Sequence, residues 1–226
     1  MFDFSMGWVF QKLALIPAIL VALTLHELCH GFVAYRLGDH TAKSQGRLSL
    51  NPLKHLDPVG TLCLIFVGFG WAKPVPVNPY ALTKKPNTGM AWVAAAGPAS
   101  NLFLAFLGGI FLLLYVHVVG YAWLSGSAYN AEYYFGLFFF YFIQINVVLM
   151  IFNLIPLPPL DGSRIVSAFL SPSLRYRYNV IEQYGIFILL LLCIFPLNRP
   201  FISYILTTPV SFLTNLICSL AGITIY

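Results

Sequence analysis

The sequence predicts a polytopic α-helical membrane protein: about five transmembrane helices, plus a re-entrant, short β-containing segment around residues 45–78. Three observations carry this reading. First, 59% of the 226 residues are hydrophobic, only 8% are charged, and mean hydropathy is +0.83. Soluble domains carry about a quarter charged residues, and disorder needs low hydrophobicity with high charge, so both classes are excluded. Second, no charged side chain occurs between Lys85 and Glu132, or between Glu132 and Asp161. Each stretch exceeds the roughly 20 apolar residues that span a bilayer. Third, the basic residues divide unevenly about the membrane once the spans are drawn.

The spans fall near 8–35, 90–119, 133–156, 180–197 and 201–222. The first runs from Leu13 through Leu25 straight into His26 and Glu27 with no small-residue cleavage site, which reads as a retained span and not a signal peptide. The run Val59–Ala72 is shorter, contains Gly60, Gly68 and Gly70, and is followed by Pro74 and Pro76. It either crosses the membrane or turns back within it. If it turns back, one side holds Arg36, Lys43, Arg47, Lys54, Lys73, Lys84, Lys85, Arg164, Arg175 and Arg177, ten of the twelve basic residues. The other side keeps Lys12 and Arg199. A full crossing would split them five against seven. The positive-inside rule therefore favours re-entrance, with the N-terminus outside and the C-terminus inside a cell (cytoplasmic) membrane. The segment 120–132, with Glu132 and no Lys or Arg, then faces outward.

Net charge is +5. In a membrane chain such a balance sets topology, so the bilayer is the expected partner and nucleic acid is not. Cys29, Cys63, Cys193 and Cys218 are scattered in or beside apolar runs and match no disulfide or CxxC metal spacing. Gly108-Gly109 reads as close helix packing, and Tyr133-Tyr134-Phe135 as an interfacial aromatic belt.

Ionisable groups inside a membrane are costly and mark function. The first span carries His26-Glu27-Leu28-Cys29-His30, an HExxH pattern. Residues i and i+4 share a helix face, so His26 and His30 can present two imidazoles to one zinc ion. Glu27 stands beside the first ligand, placed to take a proton from water. A catalytic zinc site usually has three protein ligands. Counted from Lys12, the two histidines lie roughly 21–27 Å into a core of about 30 Å. Counted from Glu132, the span ending near Phe152 reaches a similar depth, where the chain reads Asn153-Leu-Ile-Pro156-Leu-Pro158-Pro159-Leu-Asp161-Gly162. Three prolines in four positions cannot continue a helix, so Asp161 lies in an unwound stretch able to fold back toward the first span as the third ligand. A full crossing of Val59–Ala72 would instead leave Asp161 and HExxH on opposite faces.

Further candidates surround this set. Arg47-Leu48-Ser49-Leu50 and Val75-Pro76-Val77 read as short edge strands, with Leu48, Ser49 and Leu50 positioned to pair with an extended substrate. Asn153, Asn101 and Asn146 are amides in apolar surroundings that can bind a substrate carbonyl or join helices. His55 with Asp57 forms either a supporting pair near the metal or an interfacial turn. His40 and His117 have no companions.

HELCH in one span and NLIPLPPLDG in a later one resemble the site-2 protease family of intramembrane zinc metalloproteases. Gly46-Arg-Leu-Ser-Leu-Asn-Pro52, His55-Leu-Asp57-Pro-Val-Gly60, Lys73-Pro-Val-Pro-Val-Asn78 and Gly97-Pro-Ala-Ser-Asn101 are similar to its compact prokaryotic branch, without PDZ insertion or CBS domain. The resemblance implies one Zn²⁺ per chain held by His26, His30 and Asp161, with Glu27 as catalytic base. It implies a single membrane-embedded domain over 1–226, with a catalytic core at about 8–165 and C-terminal helices at about 178–222. It also implies cleavage of transmembrane or membrane-associated protein substrates near the cytoplasmic side, often precursors in signalling. Two other classes compete, a catalytically silent membrane scaffold and a metal-ion transporter. The intact HExxH and Asp161 set argues against the first, and the absence of repeated halves against the second.

Overall fold

The computed structural model describes residues 6–66, 70–120, 131–195, 200–220 and 222–223. Helices α1 (Met6–Arg36), α4 (Gly89–Val119), α5 (Ala131–Leu154), α7 (Pro172–Ile194) and α8 (Phe201–Leu220) are long and apolar enough to cross a membrane. Between them lie three short helices, α2 (Thr41–Ser44), α3 (Pro58–Phe66) and α6 (Asp161–Phe169). The five expected spans are thus present, although α7 starts at Pro172 and not near 180. Proline at the first helical position, where its missing N–H costs nothing, explains the earlier start. Most of the outward segment 120–132, Arg199 and part of the run Val59–Ala72 lie outside the described residues.

Helices α1, α4 and α5 pack as a three-helix core, with Ala18, Leu104 and Phe142 meeting at one level. Ala105, Leu112 and Val116 of α4 meet Ile143 and Val147 of α5 and Ile217 of α8 at another. The Gly108-Gly109 pair does what its spacing suggests. A Cβ on Gly108 would come within 2.9 Å of Phe142, and one on Gly109 within 2.6 Å of Ile217. Small residues here let three helices approach where lipid provides no hydrophobic drive between them.

The run Val59–Ala72 turns back. Helix α3 has nine residues, a length of about 14 Å, far short of a bilayer core of about 30 Å. Its two flanks also meet: Leu56 and Ala72 form an antiparallel bridge, and Lys73 N donates to the His55 carbonyl at 2.8 Å. A chain that leaves and returns to one place has not crossed. Beyond that bridge, no strand forms among the described residues. The expected edge strands at 47–50 and 75–77 are irregular: Arg47 N donates to the Ala42 carbonyl and Ser49 N to the Arg47 carbonyl in a bent stretch, and Val75 N donates to the Glu27 side chain, so the two do not pair with each other. Pro74 and Pro76 further deprive the second stretch of ladder donors.

Candidate metal centre

Helix α1 carries His26 and His30 one turn apart on its buried face. Helix α5 ends at Leu154, and the proline-rich residues 155–160 carry the chain back to the start of α6. Asp161 is the first residue of α6, so it lies in a helical turn just after the unwound stretch and not inside it. Its Oδ2 approaches His26 Nε2 at 3.2 Å and His30 Nε2 at 3.3 Å, and the two Nε2 atoms are 3.0 Å apart. Three ligand atoms, from residues of α1 and α6 more than 130 positions apart along the chain, form one small triangle.

The protonation pattern of this triangle follows from its surroundings. His30 Nδ1 lies 2.7 Å from the Val93 carbonyl, which can only accept, so Nδ1 carries the proton. His26 Nδ1 lies 2.5 Å from Asn101 Oδ1. The orientation of that amide is set by a chain of donors: Asn101 Nδ2 donates to Asn146 Oδ1 at 2.8 Å, and Asn146 Nδ2 donates to the Phe142 carbonyl at 2.7 Å. Both histidines therefore donate through Nδ1 and turn bare Nε2 lone pairs toward each other and toward a carboxylate. Asp161 Oδ2 is itself buried without a hydrogen-bond donor. Two lone pairs and an anion at such spacing repel unless a cation lies among them. Zinc ligands at about 2.0–2.2 Å in a tetrahedron lie about 3.3 Å apart, which matches the triangle. The donor set of two imidazoles and one carboxylate fits zinc.

Helix α4 makes room for the triangle. A Cβ on Gly97 would lie 2.5 Å from His30 Nε2 and 2.6 Å from His26 Cε1. Gly97 is therefore needed for close approach, a role that its place in an apolar helix does not reveal. A cavity opens beside the triangle, lined among others by Glu27, Pro74, Val75, Asn153 and Arg164. Glu27 Oε2 accepts a hydrogen bond from Val75 N at 2.8 Å, which fixes the carboxylate beside the histidines.

The other sequence candidates divide. Asn153 lines the cavity, its Nδ2 donating to the Leu149 carbonyl at 3.0 Å. Asn101 and Asn146 do not line it: both are fully buried, Asn101 bonding to His26 and Asn146 to Asn101. Leu48, Ser49 and Leu50 do not line it either. Leu48 packs at Gly31 of α1, Ser49 accepts from His55 Nε2 at 2.8 Å, and Leu50 is 70% exposed. The extended wall of the cavity is instead Pro74, Val75 and Val77. His55 is buried with its Nε2 on the Ser49 carbonyl, and Asp57 accepts from Gly60 N at the start of α3. Neither residue lines the cavity. Val93 and the close approach at Gly97 were not anticipated, since one acts through a backbone carbonyl and the other through the absence of a side chain, and Val75, expected in an edge strand, instead holds Glu27 through its N–H.

Comparison with known proteins agrees with this centre. The model of peptidase family M50 matches residues 14–195. A Bacillus subtilis protein named "Putative zinc metalloprotease YwhC" is 44% identical over 203 residues, covering 88% of each chain. "Putative zinc metalloprotease Rip2" of Mycolicibacterium smegmatis is 32% identical over 88% of this chain and 74% of its own. The Mycobacterium tuberculosis H37Rv protein of that name is 31% identical over 78% of this chain and 65% of its own. No solved structure matches significantly. The chain belongs to peptidase family M50, the site-2 protease family of membrane-embedded zinc metalloproteases.

Proposed function

We propose that this protein is an intramembrane endopeptidase that hydrolyses peptide bonds within or near transmembrane segments of membrane-protein substrates. One zinc ion per chain is held by His26, His30 and Asp161. The observation that carries the reading is the triangle of bare Nε2 atoms and unpartnered Oδ2, beside which Glu27 lines an open cavity. Bound there, zinc supplies Lewis acidity, polarising a peptide carbonyl and making a water easier to deprotonate. Glu27 takes the water proton and delivers it to the departing amine nitrogen. Val75 N holds one carboxylate oxygen, leaving the other toward the cavity. Asn153 donates to or orients the substrate carbonyl.

A peptide must lose its helical hydrogen bonds to be cut, and its bare backbone groups need partners in a low-dielectric setting. The wall at Pro74–Val77 offers partners by strand addition chiefly through its carbonyls, since Pro74 and Pro76 have no N–H and that of Val75 is held by Glu27. A single membrane-embedded domain carries the site, with α7 and α8 outside the ligand scaffold. The basic-residue distribution supports a site toward the cytoplasmic face, with the N-terminus outside and the C-terminus inside.

The test compares wild type with Glu27→Gln on a panel of single-span substrates in detergent, with zinc measured in both. Both should hold one zinc, and cleavage by Glu27→Gln should fall by about 10²–10⁴. Equal cleavage by the two proteins would overturn Glu27 as base. If neither cuts while both hold zinc, the protease reading falls and the silent scaffold stands in its place.

A further inference from the structure

The metal triangle and Glu27 leave one charged group of the cavity without a role. Arg164 lines that cavity, and its side chain is exposed. It follows Asp161 by three residues in α6, and residues i and i+3 share a helix face, so guanidinium and carboxylate look into one space. The two do not pair: Asp161 lies within ion-pair distance of His26 and His30, and Arg164 forms no side-chain hydrogen bond or ion pair among the described residues.

Three arginines elsewhere among the described residues are engaged. Arg175 donates to the Ser167 and Ala168 carbonyls at the end of α6, at 2.8 and 3.2 Å. Arg47 donates to the Lys73 carbonyl at 2.7 Å, and Arg36 lies 5.0 Å from the Phe32 ring centre. The position of Arg164 is also unfavourable for the helix itself, because the first turn of a helix prefers anions to cations. An unpaired guanidinium facing the cavity, placed against its own helix dipole, is positioned for something that enters the cavity.

We propose that Arg164 is a specificity-determining residue that receives a carboxylate of the bound peptide. This deepens the protease reading above and rests on it. The guanidinium presents a planar fork of donors that fits a carboxylate through two parallel hydrogen bonds. That carboxylate is either an acidic side chain flanking the cut bond or the α-carboxylate that hydrolysis leaves on the product. Arg164 also selects by repulsion: Lys and Arg, which commonly flank membrane spans, meet a like charge at the cavity.

The test reads binding to zinc-loaded Glu27→Gln protein, which holds a peptide without cutting it. Fluorescent versions of one single-span peptide carry Glu, Gln or Lys beside the apolar stretch. A shortened pair ends there in a free carboxylate or a carboxamide. At least one carboxylate version should bind about fivefold tighter than its neutral twin, and the pair that responds identifies the source of the carboxylate. Adding Arg164→Gln should erase the preference, Arg164→Lys should keep part of it, and Arg164→Glu should turn it toward the Lys peptide. Zinc content equal to the parent certifies each fold. A preference absent from the parent, or one that survives Arg164→Gln, overturns the proposal. Wild type that cuts the Gln peptide while the parent shows no charge preference overturns Arg164 alone. Preference in binding without any cleavage by wild type supports Arg164 and overturns the protease reading.

Discussion

The cavity has two walls built on different principles. One is helical: α1 supplies His26, Glu27 and His30, and α4 supplies Val93 and Ala94. The other is irregular: Pro74, Val75 and Val77 from the re-entrant hairpin, while Asp161, the first residue of α6, belongs with the histidines of the helical wall. The helical wall is held by its own backbone bonds and by packing of α1, α4 and α5. The irregular wall is held by side chains reaching across the sequence, Glu27 to Val75 N, Asp39 to Asn78 N and Arg47 to the Lys73 carbonyl. Rigid helices therefore set the metal geometry, while the hairpin depends on a few charged anchors. Changes to the ligands of the first wall, and to the residues packed on or bonded to them, should act on zinc, and changes to the hairpin on turnover or stability with zinc kept.

The largest effect should come from Gly97→Ala. The new methyl overlaps both imidazoles, and helix packing on either side leaves it nowhere to go. Zinc affinity should fall by more than about 100-fold, read by competition with a chelator. Retained zinc with full cleavage would show that α4 can yield. Next is Asn101→Leu, which removes the acceptor of His26 Nδ1 and strands Asn146 Oδ1. Loss of such an outer hydrogen bond costs about 10–100-fold in metal affinity. Asn146→Leu, one bond further out, should cost less.

On the second wall, Val75→Pro deletes the N–H that holds Glu27. The stretch is already extended between Pro74 and Pro76, so the backbone tolerates the change. A hydrogen bond to a charged group is worth about 1.5–3 kcal/mol, so kcat should fall by about 10- to 100-fold with zinc unchanged. A fall in zinc would break the distinction between the walls.

The smallest effect should be that of Asp39. It lies buried past the end of α1 and accepts from Thr41 N, Thr41 Oγ1 and Asn78 N. Burial pushes its carboxyl upward, but these hydrogen bonds outweigh it and hold the pKa below the usual value. A depressed carboxylate stabilises the fold fully above its unfolded pKa of about 3.9, and that share is lost as pH falls toward the folded value. Wild type should thus lose thermal stability below about pH 4 more steeply than Asp39→Asn, which has already lost that share. Parallel curves would remove Asp39 as an anchor of the hairpin.

This contrast also explains what could be read from the residues alone. His26 and His30 were legible because helical periodicity converts a spacing of four into a shared face. Asp161 was legible because charge bias and depth both required it on that level. The re-entrant turn followed from the lopsided distribution of Lys and Arg. The irregular wall was not legible, because extended residues such as Leu48 and Val75 look alike until their backbone partners are known. Asn101 and Asn146 illustrate the remaining difficulty. A buried amide beside a site signals a hydrogen bond, but only the direction of the bond tells whether it serves a substrate or a ligand.

The most direct measurement is X-ray absorption at the zinc edge of the purified protein, with zinc stoichiometry from the same sample. One zinc per chain, with imidazole and oxygen scatterers at about 2.0–2.2 Å and no sulfur, is the expected result. His26→Ala, His30→Ala and Asp161→Ala should each release the ion. A sulfur scatterer at about 2.3 Å, which would bring Cys29 of the same helical turn into the shell, would contradict the assignment of His26, His30 and Asp161 as the ligands. So would retention of zinc in all three variants.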